Sequence, residues 1–425
     1  MKKLFGHLLP LTDEQTEAIW KVGTLTVDAN VLLDLYRYHP ETRDALIQAL
    51  RAFQGRLWLS HQAASEFVRN RARAAAAVGK ELADADSDLS TLEAATKKAS
   101  DALRGRRPLP REVGQKLKAE VEAAIRSAKA AVEEVRTRHV DGASTDAVLD
   151  DVMSLFDGCV GAAPIEAELA ELHKEAQRRI MEKVPPGYQD AKKDGVNAHG
   201  DYLVWHQVLQ QAKSSAKAMI LVTSERKEDW WERAHGKTVG PRHELLEEAH
   251  RVAGQTVLIY QTDSFVERAA RRTGTTVSAF VRNDIRAPRD DQELEDIITT
   301  AVEELANELV DLDSPINNLT AETNATDWHA DDVVVTDFGP LDYASCSAPF
   351  TASLHYTGEQ LEDRAWSGTE IRAELRGTIA FEDGSWVISD DYEVENAEID
   401  YGEPDLDDDE PASPGRSGPT RRTST

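Results

Sequence analysis

Four short apolar runs, each too brief for a helix and each followed by helical sequence, set the first constraint on this chain. They are Gly23–Asp28 (GTLTVD), Arg56–Ser60 (RLWLS), Met219–Thr223 (MILVT) and Thr256–Tyr260 (TVLIY). Strands covered on both faces read as continuous apolar runs rather than as alternation, and such strands interleaved with helices build parallel sheets. The expected core is therefore an α/β domain with a parallel sheet flanked by helices.

A long interruption separates the second run from the third. Residues 70–140 are rich in Ala, Glu, Lys and Arg and are broken at Gly105-Arg-Arg-Pro-Leu-Pro110, which predicts a helical hairpin. Residues 68–138 hold 16 Lys and Arg against 11 Asp and Glu, a local net of +5. Two solvated helices suffice to explain this; the sharper alternative is a basic arm that guides nucleic acid.

Downstream, residues 288–312 place Leu294, Ile297, Ile298, Val302, Leu305, Leu309 and Leu312 at helical spacing within an acidic sequence. From about residue 325 the pattern turns to alternation in Val333–Val335, Phe350–Tyr356, Glu370–Phe381 and Trp386–Ile388, which predicts a small antiparallel β domain. Residues 403–425 have the composition of a disordered tail. The expected organisation is a first domain over 1–285 with a helical insertion at 70–183. An acidic amphipathic helix and linker follow at 286–324, then a β domain at 325–402 and the tail.

Charge excludes some functions. The 425 residues carry 77 Asp and Glu against 49 Lys and Arg, a net of -28, the wrong sign for a protein that coats nucleic acid with a basic surface. Yet residues 1–300 hold 43 basic and 47 acidic residues, whereas residues 301–425 hold 6 and 30. The first part is nearly neutral, and the acidity belongs to the C-terminal region. That region is expected to be a solubility device, or a polyanion mimic that restrains the basic arm.

Cys159 and Cys346 cannot supply a disulfide framework or a four-thiolate zinc site, which points to a reducing compartment. The run Leu4–Leu11 contains His7, lacks a small-residue cleavage site and meets Asp13 and Glu14, so it does not read as a signal peptide. No stretch approaches the ~18 apolar residues of a membrane span. A cytoplasmic protein without membrane contact is expected.

Several chemistries fail on spacing. His243-Glu244 meets its next histidine only at His250, there is no G-x-S-x-G, and Gly236-Lys237-Thr238 has Trp231 where a phosphate-binding loop needs glycine. What remains is carboxylates at element ends: Asp28 after the first run, Glu66 on the helix after the second, Asp201 opening a later helix, Glu225 and Asp229 after the third run. Singly, Asp28 reads equally well as a helix cap, and Asp201 reads as one by default. Together the acids suit a hard divalent cation such as Mg²⁺ or Mn²⁺.

The ordered blocks VDANVLLDLYRY (27–38), LSHQAASEFVRNR (59–71), VPPGYQDAKK (184–193), HGDYLVWHQVL (199–209), VTSERKEDWW (222–231) and GPRHELLEEAH (240–250) resemble the PIN-like domain proteins of bacteria. The resemblance is to the subgroup with a helical insertion between the Glu-bearing helix and the G-D-x-x-x-W helix. It covers roughly residues 20–270 and leaves the β domain outside. It implies a PIN-like fold and a metal-dependent nuclease, most often a ribonuclease. By matching position, the implied catalytic and metal-binding acids are Asp28, Glu66 and Asp201. The family's last acid, usually Asp in V-T-x-D, falls on Glu225, whose extra methylene asks about 1 Å of adjustment from an octahedral site. Asn30 and Thr223 are implied polar supports; Asp190 is favoured as a loop cap, with an additional acid as the alternative, and Asp229 is a further acid placed four residues after Glu225.

Arg69, Arg71, Arg226, Lys227 and Arg242 are candidates for contact with the substrate backbone, or simply ion-pair partners of nearby acids. Trp205, Trp230 and Trp231 are expected in the core. No Lys or His stands at motif spacing as an alternative base, which suits a metal-activated water. The leading expectation is an endonuclease using Mg²⁺ or Mn²⁺ on nucleic acid, RNA ahead of DNA, with a protein partner for the β domain. The alternatives are a PIN-like scaffold whose site has drifted, for which Glu225 speaks, and a toxin or phage-defence effector.

Overall fold

The computed structural model describes residues 5–140, 146–192, 195–234, 237–312, 314–323, 325–360, 370–382 and 384–400; the expected tail at 403–425 lies outside them. In chain order the elements begin with α1 (Asp13–Val22), β1 (Thr24–Val27), α2 (Ala29–Arg37), α3 (Pro40–Arg51), α4 (His61–Arg104) and α5 (Arg111–Val140). They continue with α6 (Ala147–Phe156), α7 (Glu166–Met181), α8 (Gly200–Ser215), β2 (Met219–Thr223), β3 (Trp231–Ala234) and β4 (Lys237–Pro241). Next come α9 (His243–Ala253), β5 (Val257–Gln261), α10 (Thr262–Thr273), α11 (Ala279–Arg286), α12 (Asp291–Leu309) and α13 (Pro315–Thr320). Strands β6 (Ala325–Phe338), β7 (Ser347–Gln360), β8 (Glu370–Glu382), β9 (Ser385–Ile388) and β10 (Glu393–Asp400) complete the order. The chain divides into two compact units, one of Met1–Leu294 with Leu341–Ser347 and Ala380–Val387, the other of the remaining residues.

The first unit is organised on a parallel sheet of order β1-β2-β5. Thr24 to Val27 pair with Met219 to Val222, and Met219 to Thr223 with Val257 to Gln261, so the three C-terminal ends lie side by side. Every residue of β2 is buried, as its unbroken apolar run requires. Helices cover the sheet through Trp20, Leu32, Leu35, Leu46, Phe67, Trp205, Leu245 and Phe265, all buried in the same core. Helix α1 starts on a capping box, with the Thr12 side chain accepting from Gln15 N–H and the Gln15 side chain accepting from Thr12 N–H.

Two local features differ from expectation. The second apolar run does not become a strand of the sheet. Leu57 bridges Leu25 on one side and Leu59 bridges Val160 on the other; with its partners split one residue apiece, no ladder propagates before Ser60 caps α4. The second difference is continuity: the helix bearing Glu66 and the first arm of the insertion are one 44-residue helix, α4. Its hairpin partner α5 is joined to it by Ser100 Oγ–H donating to the Gly114 carbonyl and by Lys129 with Glu93.

In the second unit, α12 presents Ile298, Val302, Ala306 and Leu309 as a buried stripe, and Leu312 lies past its end and exposed. The antiparallel sheet has the order β10-β8-β7-β6, with β9 on β8. Phe350, Ala352, Leu354 and Tyr356 of β7 alternate into the core with Ile371, Ala373 and Leu375 of β8, the period-2 pattern of a half-buried sheet. Tyr356 Oη–H donates to the Ala306 carbonyl at 3.0 Å. The edge strands β6 and β10 carry the exposed charges Asp327, Asp331, Asp332, Asp337, Glu393 and Glu398, which discourage edge-to-edge pairing with another sheet. Among the described residues no helix is long and apolar enough to cross a membrane.

Gly23 joins α1 to β1 in a space that admits no side chain. A Cβ there would sit 2.6 Å from the Ile19 carbonyl oxygen and 3.2 Å from that of Ala218, and backbone cannot swing aside. Gly23→Ala should destabilise the protein by about 1–3 kcal/mol, read as a lower urea midpoint at unchanged slope.

Candidate active site

The parallel pairing decides where the acids go. Asp28 N–H donates to the Val222 carbonyl at 2.9 Å, which ties the residue after β1 to the end of β2. Asp28 is the N-cap of α2, its Oδ1 accepting from Ala29 N–H at 2.7 Å. Its other oxygen, Oδ2, is buried and has no hydrogen-bond partner. Two residues beyond β2, Glu225 is 6% exposed and held at every polar atom near its root. Its N–H donates to Thr223 Oγ1, its carbonyl accepts from Trp231 Nε1–H at 2.7 Å, and Oε1 accepts from Asn30 Nδ2 at 2.7 Å.

Glu66 enters from the second turn of α4. Gln62, one turn earlier, donates through Nε2 to Glu66 Oε1 at 2.6 Å. A Cβ on Gly200 would lie 2.6 Å from that same oxygen, so the carboxylate rests against the first residue of α8, adjacent to Asp201. The capping expectation for Asp201 is corrected: His199 takes the N-cap position without a side-chain bond, and Asp201 stands inside the first turn. There its Oδ2 accepts from Trp230 Nε1–H at 3.2 Å.

The loop after α7 closes over this edge. Asp229 Oδ2 accepts from the N–H groups of Gly187 and Gln189, at 2.9 and 3.1 Å. Gly187, at φ 93°, passes close enough to Asp201 that a Cβ would come within 3.2 Å of the Asp201 Cβ. Buried Asp190 accepts from Lys227 Nζ at 2.5 Å, and the same ammonium lies 3.5 Å from Glu225 Oε2.

The electrostatic consequence is mutual repulsion. Burial, then the charges of Glu225 and Glu66, push Asp28 up to about 7. Burial, then Glu225, Asp190 and Asp28, push Asp201 well above the usual carboxylate range, with Lys227 opposing. Burial alone would lower Lys227, but Glu225, Asp190 and Asp201 outweigh it and raise the ammonium. Asp229 is raised by burial. Asp28, Glu66, Asp201 and Glu225 thus share one field, together with Asp190, while Asp229 is engaged by loop backbone.

Among the described residues no group of three or more His, Cys, Asp or Glu side chains is drawn tightly enough to hold a metal ion as it stands. The donor set nevertheless fits a hard cation: it is all carboxylate, it includes the partnerless Asp28 Oδ2, and its charges oppose one another. Of the basic candidates, Arg69 is exposed on α4. Arg71 lies 3.7 Å from Asp146, Arg226 donates to the Ile285 carbonyl, and Arg242 donates to Glu244 at 2.8 Å. Lys227 alone of the five is drawn in among the acids.

All three candidate core tryptophans are buried, and two of them donate to the acidic segments. Sequence reasoning passed over Gln62, Gly187 and Gly200 and the donor roles of Trp230 and Trp231. The available signals were Gln62 four residues before Glu66 and the two indoles directly after Asp229. A family model described as PIN like domain matches residues 24–245, a span that opens on β1 and contains the four acids. No curated protein and no solved structure matches the chain.

A carboxyl raised in the folded state binds its proton at pH values where the unfolded chain has lost it, so stability falls with rising pH across that interval. For Asp28 the interval runs from about pH 4, the unfolded value, to about 7. Asn caps a helix as well as Asp does. Asp28→Asn should therefore raise the melting temperature at pH 7 in EDTA, by a stability gain on the order of a few kcal/mol, and flatten its decline between pH 4 and 7. Melting curves of both proteins over that range check this.

Proposed function

Since the chain belongs to the PIN-like domain family, we propose that it is a metal-dependent endonuclease hydrolysing phosphodiester bonds, with RNA preferred over DNA and the cytoplasm as its place of action. The carrying observation is the meeting of Asp28, Glu66, Asp201 and Glu225 in one field at a single sheet edge, with a buried oxygen of Asp28 left without a partner. Buried like charges persist only when protonated or neutralised by a cation. Mg²⁺ or Mn²⁺ held by these four acids would supply that neutralisation, lower the pKa of a bound water and offset charge that develops on the phosphate.

The chain's own residues do the positioning. Asn30 and Thr223 fix the Glu225 side chain and backbone, so its extra methylene is constrained rather than free. Trp230 orients Asp201, and Gln62 orients Glu66. Asp229 holds the loop that brings Asp190 to the site. Arg69 stands less than one turn beyond Glu66 on α4 and faces solvent, a natural contact for a substrate phosphate. Arg71, Arg226 and Arg242 would have to exchange their present partners to join it. The β domain is the proposed seat of a protein partner.

A drifted scaffold remains the second reading, favoured by Glu225 in place of Asp and by an ammonium already lodged among the acids. Cleavage of single-stranded RNA in Mn²⁺ separates the two. The combined Asp28→Asn and Asp201→Asn substitutions should lower the rate about 100-fold or more. An inert wild-type chain that also shows no Asp28-dependent Mn²⁺ uptake in calorimetry would establish the scaffold instead.

A further inference from the structure

Lys227 is a feature of the site that a cluster of metal-binding acids does not call for. Its ammonium lies 2.5 Å from Asp190 Oδ1 and 3.5 Å from Glu225 Oε2, and both carboxylates are buried. The root of the side chain is fixed as well. The Lys227 carbonyl accepts from the N–H groups of Trp230 and Trp231, at 3.1 and 3.2 Å, and the two indoles of that turn reach back to Asp201 and to the Glu225 carbonyl. About a third of the side chain, 37%, stays open to solvent.

The two oxygens of Glu225 consequently have different neighbours. Oε1 accepts from the neutral amide of Asn30, while Oε2 faces the ammonium. Asp28 has a buried oxygen with no partner, and the charges of Glu225 and Glu66 act on it with only the more distant field of Arg289, itself 3.4 Å from Asp34, in opposition. A two-ion site needs both flanks of its acidic cluster free for cations about 3.5–4 Å apart. Here one flank already holds a compact point charge.

Resting on the nuclease reading, we propose that the Lys227 ammonium is a built-in cation of the site. It neutralises the Asp190 flank, so that the chain takes up a single divalent ion, on the Asp28 flank, rather than a pair. Lys227 is then a positioning residue for Glu225 and Asp190 rather than a group that reacts.

The test is titration of the metal-free full chain with Mn²⁺ alone, followed by calorimetry and by the electron spin resonance of free Mn²⁺. Wild type should take one ion per chain, Lys227→Gln two, and Lys227→Arg, which keeps the charge, one. In EDTA, Lys227→Gln should also melt below wild type, and saturating Mn²⁺ should raise its melting temperature by more than that of wild type. Two ions on the wild-type chain overturn the inference even if Lys227→Gln fails to fold, as does a folded Lys227→Gln that takes one ion with wild-type affinity. Absence of any Asp28-dependent Mn²⁺ uptake by wild type would overturn the nuclease reading and this inference together, an outcome distinct from the other two.

Discussion

Carboxylates forced together at the C-terminal edge of a small parallel sheet are the interaction on which the first unit depends. Pairing Val27 with Val222 leaves Asp28 and Glu225 at neighbouring strand exits, although 197 positions of sequence separate them. In a poorly solvated setting such charges raise one another's proton affinity, and the surrounding structure is largely a response to that cost. Asn30, Gln62 and Trp230 donate to the acids, Trp231 pins the backbone of Glu225, and Lys227, with Arg289 farther off, opposes their charge. Strongly perturbed carboxylates gathered at one edge mark that edge as the candidate functional site of the first unit.

The helical insertion is mechanically part of this edge. Because α4 runs unbroken from His61 to Arg104, at 1.5 Å per residue a rod of about 66 Å, Glu66 shares a rigid body with the root of the arm. Displacement of α4 near its base would carry the Glu66 carboxylate away from Gly200. Some of the basic residues of the insertion are paired inside it, Arg136 with Asp86 and Lys129 with Glu93, which leaves its net positive excess unchanged.

Part of the acidity of the C-terminal region has a local structural account. Aspartates and glutamates line the two outer strands of its sheet, while the inner strands bury aliphatic and aromatic side chains. Charge on an unpaired edge is a common protection against association through main-chain hydrogen bonds, and the two outer strands hold 8 of the 30 acidic residues that follow position 300.

Much of this was legible in the residues. Apolar runs marked β1, β2 and β5 because a strand covered on both faces must be apolar throughout; the period-2 alternation marked the second sheet; and strand exits together with the resemblance of the surrounding blocks singled out Asp28, Glu66, Asp201 and Glu225 as candidates. The run at 56–60 misled, since an apolar segment records burial and not the number of backbone partners available to it. Nor did any local pattern announce that Lys227 would turn inward while Arg226, its neighbour, turns away, or that Gly200 and Gly187 would clear space for Glu66 and Asp201. Composition and periodicity are properties of one segment and determined which elements form and which face each buries. Proximity between segments far apart in sequence depends on strand register and helix packing, and so the compensation of the acidic edge was decided only by the tertiary structure.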